Sequence, residues 1–213
     1  PIVYFVDIPD AKQSVIQIGK PMMSGNSEDY FAATVVNKRL GGGASARLFQ
    51  QLREEKGYTY GAYSGIPRRI NDSYFIATSS VRSNVTKESV ELFKEILDGY
   101  ESDYSEEDLE KTKSSQLRSN ALAFETLGNK MGMLQNISTY NLPMDYIKNQ
   151  EQVVQDMTLD RAKELIGTYI DPSKMVYLVV GDAKTQKDRV AEVGLGTPIM
   201  LDKEGVPVTA VPN

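Results

Sequence analysis

Histidine and cysteine are both absent from this chain of 213 residues. Without histidine there is neither the commonest metal ligand nor the usual general base near neutral pH, so this chain alone cannot build a Ser-His-Asp triad, a Cys-His pair or a histidine zinc site. Without cysteine there are no disulfides, no thiolate catalysis and no cysteine-ligated zinc or iron–sulfur centre, while the cytosol and an oxidising compartment both stay open. Positive charge is in deficit as well. Lys and Arg number 24 against 29 Asp and Glu, a formal net charge of −5, which lacks the basic surface a DNA or RNA partner requires. No apolar run approaches the roughly 18 residues of a membrane span, and no basic segment followed by an apolar stretch opens the chain. Pro1 leads directly into the strand-like Ile2-Val3-Tyr4-Phe5-Val6, an opening compatible with removal of a targeting segment or a preceding domain. Chemistry must come from other groups or from a partner.

What is present belongs to an ordinary globular protein, with 40% apolar and 25% charged residues. Residues 12–20 read as a strand through Val15, Ile16 and Ile18. A Pro/Gly loop then leads to a helix that begins at Ser27-Glu28-Asp29 and has its apolar body over 30–40. Gly41-Gly42-Gly43 stops it. Ser45 is placed to cap a second helix reaching about residue 56, with Arg53 in its last turn and Gly57 as the breaker. From Tyr58 the pattern alternates, which puts Tyr58, Tyr60, Ala62, Ser64 and Ile66 on one face of a strand and Thr59, Gly61 and Tyr63 on the other. Turn residues Asn71-Asp72 then predict an antiparallel hairpin with a strand over 74–82.

Phe93, Ile96, Leu97 and Tyr100 form a buried stripe on a helix over about 86–101. Ser105 with Asp108 three residues later is a capping-box start for a polar helix to about residue 120. Phe124, Leu127, Met131, Leu134 and Ile137 keep helical spacing until Asn141-Leu142-Pro143; helices over 146–157 and 159–169 follow, with Thr158 capping the second. A strand over 175–180, a helix over 185–193 and a small hairpin at about 197–210, with arms 198–201 and 206–209, complete the chain. Strands before, between and after helix pairs predict a single α+β domain over 1–213, a mainly antiparallel sheet packed against helices rather than a doubly wound parallel fold.

Gly41-Gly42-Gly43-Ala44-Ser45 lacks the strand-first context and Gly-Lys-Ser/Thr ending of a phosphate loop, so a turn between helices explains it. Glu106, Glu107, Asp108 and Glu110 have no calcium-loop spacing and read as helix-start acids. Met131 and Met133 read as core packing. Arg53 and Tyr60, seven residues apart across a helix end and a strand start, can project toward one edge; spacing alone equally suits a helix-end cation and a packed aromatic.

Residues 40–64, LGGGASARLFQQLREEKGYTYGAYS, resemble the second, non-metal-binding half of the pitrilysin/insulinase family of zinc metallopeptidases: a Gly-rich turn, an Arg-bearing helix and a Tyr-bearing strand, with the family's spacing of seven. Residues 139–182, TYNLPMDYIKNQEQVVQDMTLDRAKELIGTYIDPSKMVYLVVGD, are similar to the family's closing helices and last strand. The two stretches cover about a third of the chain, and the order of the other elements extends the likeness over 2–182. The resemblance implies one of two homologous α+β halves that enclose a peptide-admitting chamber. The other half carries zinc on an H-x-x-E-H helix with a downstream Glu ligand, a motif missing from residues 28–40 here. Zinc then belongs to the partner half, none to this chain, and the isolated chain is expected to be inactive. The resemblance implies that Arg53 and Tyr60 hold the substrate and stabilise its transition state across from the metal, with Tyr58 as a further substrate-binding candidate and rival for the tyrosine role. It also suggests a bacterial, non-cytosolic compartment such as the periplasm. The alternative is a non-enzymatic scaffold or assembly subunit with the same fold.

Overall fold

A computed structural model describes residues 1–122 and 124–208. Six strands, β1 (Ile2–Asp7), β2 (Gln13–Pro21), β3 (Thr59–Gly65), β4 (Tyr74–Arg82), β5 (Val176–Gly181) and β6 (Ile199–Leu201), form one sheet in the order β3-β4-β2-β5-β1-β6. The pairs β3/β4, β4/β2 and β2/β5 are antiparallel, whereas β5/β1 and β1/β6 are parallel. This is the mainly antiparallel α+β sheet that the sequence predicts.

The helices are α1 (Asp29–Gly41), α2 (Arg47–Phe49, continued by a π-helical turn at Gln50–Glu55), α3 (Thr86–Gly99), α4 (Glu106–Leu122), α5 (Leu127–Tyr140), α6 (Tyr146–Asp156), α7 (Leu159–Tyr169) and α8 (Ala183–Ala191). Period-two patterning gives the sheet one core face: Val3 and Phe5, Ile16 and Ile18, Phe75 and Ala77, Tyr177 and Val179 are all buried. They meet Val35, Val36 and Leu40 of α1 and Phe93 and Leu97 of α3 in one cluster. Each large side chain taken fully out of water there contributes on the order of 2 kcal/mol. Tyr100 is fully buried beside them, and its hydroxyl donates to the Val36 carbonyl at 2.6 Å.

Two expected helix starts form as the sequence suggests. At α4 the Ser105 hydroxyl accepts from Asp108 N–H at 3.2 Å, and Asp108 Oδ2 accepts from Ser105 N–H at 3.3 Å, a reciprocal capping box. At α7 the Thr158 hydroxyl accepts from Arg161 N–H at 3.2 Å. Two other expectations fail. Ala46, not Ser45, occupies the cap of α2 and supplies no side-chain bond; the Ser45 carbonyl instead accepts from the Arg39 guanidinium. Met131 is 54% exposed and α5 buries none of its residues, so the methionines there are not core. Helical spacing reports an apolar stripe, not what lies against it.

At the end of the described chain, Asp202 N–H donates to Val206 O and Val208 N–H to Met200 O, each at 2.9 Å, a tight return after β6. Residues 209 and 210 of the expected hairpin lie outside the described residues.

Candidate functional site

The site candidates sit where the π-helical turn after α2 runs into the edge strand β3. In an α-helix N–H(i) bonds O(i−4); here Lys56 N–H reaches Gln51 O at 3.1 Å, one residue further, and Tyr58 N–H closes on Leu52 O at 2.9 Å. Gly57, with φ +61°, takes the left-handed geometry that ends the turn. The extra residue re-aims the last turn, and Arg53 lies within it. Its guanidinium rests 4.8 Å from the centre of the Phe49 ring and 3.5 Å from the Glu54 carboxylate, with 44% of the side chain still exposed. Phe49 in turn meets Tyr63 of β3, ring centres 5.7 Å apart. Arg53, Phe49 and Tyr63 thus form one stack joining the turn to the strand, in which cation–π contact steers the guanidinium.

Strand β3 departs from simple alternation. Thr59 pairs with Val81 and Ala62 with Ser79, three residues against two, so a β-bulge holds Tyr60 and Gly61. Tyr58, Tyr60 and Ala62 therefore do not share a face as period two predicts: Ala62 is buried, Tyr58 is half-buried and Tyr60 is 87% exposed. Hydroxyls latch the bulge. Thr59 Oγ1 accepts from Gly61 N–H at 3.1 Å, and the buried Ser79 hydroxyl lies 2.9 Å from Gly61 O and 3.0 Å from Thr59 Oγ1. A Cβ on Gly61 would come within 2.7 Å of the Tyr63 ring, so glycine lets that ring lie over the bulge. The result is a large aromatic displayed to solvent by a fixed backbone. Among the described residues the Tyr60 hydroxyl bonds to no other side chain, which leaves it free to donate.

Sequence reasoning singled out Arg53, Tyr58 and Tyr60 as candidates but not the groups that position them: Phe49, Thr59, Tyr63 and Ser79. A signal existed for Phe49, four residues before Arg53 on a helix. It also existed for Thr59, whose hydroxyl sits two residues before a glycine, the spacing of a Ser/Thr turn.

The glycines of 41–43 serve packing. A Cβ on Gly41 would overlap Ser64 of β3, and one on Gly42 would lie 2.7 Å from Lys38 Cα. Asn37 completes this seam, donating to Ser64 O at 3.1 Å and accepting from the Ser64 hydroxyl at 2.7 Å. Of the acidic group at 106–110, Asp108 is an ion-pair hub, 2.5 Å from Arg39 and 2.7 Å from Arg47. No cluster of three or more His, Cys, Asp or Glu among the described residues is arranged to hold a metal, so the donor set does not fit zinc.

Residues 1–116 match the family model described as the peptidase M16 inactive domain. The chain belongs to that family. It is thus the inactive-domain type of a zinc protease family. This M16 domain is 22% identical over 182 residues to the Helicobacter pylori protein described as the non-peptidase homolog YmxG, covering 84% of the chain and 42% of that protein. Over 53 residues it is 42% identical to the Streptomyces coelicolor protein described as the uncharacterized zinc protease SCO5738, covering 25% of the chain and 12% of that protein. In fold it resembles the crystal structure of a peptidase M16 inactive domain from Pseudomonas fluorescens, with TM-score 0.77 at 23% identity, over 85% of this chain and 44% of that one. The M16 domain therefore spans less than half the length of these relatives. No helix among the described residues is long and apolar enough to cross a membrane.

Proposed function

We propose that this domain is the substrate-holding, catalytically incomplete half of a zinc metalloendopeptidase, active when paired with an H-x-x-E-H half. The observation that carries the reading is the presentation of Tyr60. A phenol 87% exposed on a latched bulge, with the Arg53 turn feeding directly into the same strand, is what a donor reaching into a facing half requires. In this reading Arg53 N–H groups and the Tyr60 O–H donate to the carbonyl oxygen of the bound peptide and gain strength as charge develops on it. Tyr58, half-buried at the entry to the strand, contacts the peptide alongside. Zinc, carried by the companion half, supplies the activated water; nothing in this chain replaces it.

The test is co-purification with an H-x-x-E-H half and measurement of peptide hydrolysis. A single oxyanion donor is worth about 3 kcal/mol, so Tyr60→Phe and Arg53→Ala each lower kcat by about 100-fold at unchanged zinc content. Unaltered kinetics in both variants would sink the assigned roles, as would chelator-sensitive hydrolysis by this chain alone. A second reading, a non-enzymatic assembly subunit, is favoured by the description of the Helicobacter relative as a non-peptidase homolog. It predicts a stable complex with no hydrolysis at all.

A further inference from the structure

A charged groove of about 800 Å³ lies between the end of α1, the turn leading into α2 and the length of α4. Its α4 side is a single helical face, on which Glu107, Lys111, Ser114 and Arg118 follow at spacings of four, three and four. From 107 to 118 the helix rises about 16 Å, room for about five residues of extended chain.

Matching the charges of the groove in pairs leaves two cations over. Arg39 is taken by Asp108, Lys111 lies 2.6 Å from Glu107, and Glu110 lies 3.9 Å from Lys113. Lys38 and Arg118 have no carboxylate partner among the described residues. Lys38 is the more informative. Its place in the last turn of α1 suits a positive charge, yet it is half-buried with no acid near enough to offset the lost hydration, and burial alone lowers its pKa. A cation lying so in a groove lacks an anion. Ser114 and Ser115 of α4 and Ser45 of the loop before α2 add hydroxyl donors to the same lining.

The shape of the groove bears on what fills it. An elongated lining with cations from two helices suits carboxylates spaced along a chain better than one compact ion. Gln50, which also lines it, stands three residues before Arg53 in the π-helical turn, so the groove opens onto the segment assigned to hold peptide. The chain as a whole carries −5 and repels acids, so an acidic ligand is drawn here by local charge alone. We propose that the groove receives an extended acidic stretch of the peptide substrate, with its carboxylates on Lys38 and Arg118. That the ligand is a peptide rests on the substrate-holding reading given above.

The chain has no tryptophan, so the fluorescence anisotropy of a tryptophan-bearing peptide reports binding directly. Capped peptides of about six residues, identical but for glutamates in one and glutamines in the other, are titrated with the whole 213-residue chain at low salt. The expected result is at least about a tenfold preference for the glutamate peptide, shrinking as salt is raised and lost in Lys38→Gln/Arg118→Gln. Arg118 is exposed, so Arg118→Gln alone, which should lose part of the preference, carries the test if the double variant fails to fold. Equal binding of the two peptides overturns the proposal, as does no binding of the glutamate peptide or a preference unchanged in the variants. Displacement by inorganic phosphate as effective, mole for mole, as by unlabelled glutamate peptide would mean a compact-anion site and overturns it too. Turnover by the zinc-bearing pair separates this inference from the reading beneath it. An absent preference with turnover still dependent on Tyr60 is a failure of the groove alone. A preference that persists while Tyr60→Phe and Arg53→Ala leave turnover unchanged upholds the groove and sinks the roles assigned to Arg53 and Tyr60.

Discussion

Asp108 shows how one side chain can tie three elements of this domain together. The residue is 6% exposed, and its carboxylate closes the capping box of α4 and receives Arg39 from α1 and Arg47 from α2. Burial pushes its pKa up, but the hydrogen bonds from Arg39 and Arg47 outweigh burial and hold it below the ordinary value. A depressed folded pKa means that the stabilisation is fully present above the unfolded carboxylate range and is lost as pH falls through the folded value. Removing a buried partner outright costs about 3–5 kcal/mol. Arg39 and Arg47 retain 26% and 16% exposure and recover some hydration, so Asp108→Asn should cost about 2 kcal/mol at pH 7. Urea unfolding at a series of pH values checks both parts: the gap between wild type and variant narrows below about pH 4. The capping role was legible, because Ser105 and Asp108 stand three apart. The arginine partners were not, since a sequence does not state which cations will close on a helix start 69 and 61 residues away. The same holds at the candidate site. A spacing of seven drew attention to Arg53 and Tyr60, but the Ser79 hydroxyl that latches the bulge comes from another strand.

Elements were easiest to read where one local pattern decides them, as in the α3 stripe, the α7 cap at Thr158 and the β3/β4 hairpin. They were misread where one extra residue intervenes. A π-helical turn and a β-bulge each insert a residue without altering composition: the helix still closes at Lys56 and Gly57 as expected, but with π rather than α bonding, and the expected two-faced strand is interrupted. Both irregularities fall within twelve residues and flank Gly57. That glycine sits at φ +61° with open space where a Cβ would lie, so an alanine meets backbone strain and no clash. Gly57→Ala should therefore destabilise by about 1 kcal/mol, read as a lowered urea midpoint at unchanged slope. Because the strained residue joins the turn to the strand, the variant should also weaken any function that needs Arg53 and Tyr60 held together. A drop in stability of more than about 3 kcal/mol would mean that Gly57 is packed against something more than its own backbone.

At the scale of the whole molecule, one hydrophobic cluster runs from the sheet through α1 and α3 to α6, α7 and the end of α8. A single core of this kind should melt in a single cooperative transition. With no histidine or cysteine in the chain and no metal-binding cluster among the described residues, the midpoint should be the same in zinc and in chelator, unlike a domain whose folding depends on bound metal. Helix α5 stands apart from that core. It buries no residue, and its end is tied to the loop after β3 by the Tyr140 hydroxyl on Arg68 O at 3.0 Å and by the Arg68 guanidinium 4.5 Å from the Tyr140 ring centre. Opening it costs little buried apolar area, so its amides should exchange with solvent well before those of β2 and β5, which lie in the middle of the sheet. Protection of the α5 amides as high as that of β2 and β5 would instead place the helix within the same cooperative unit as the core.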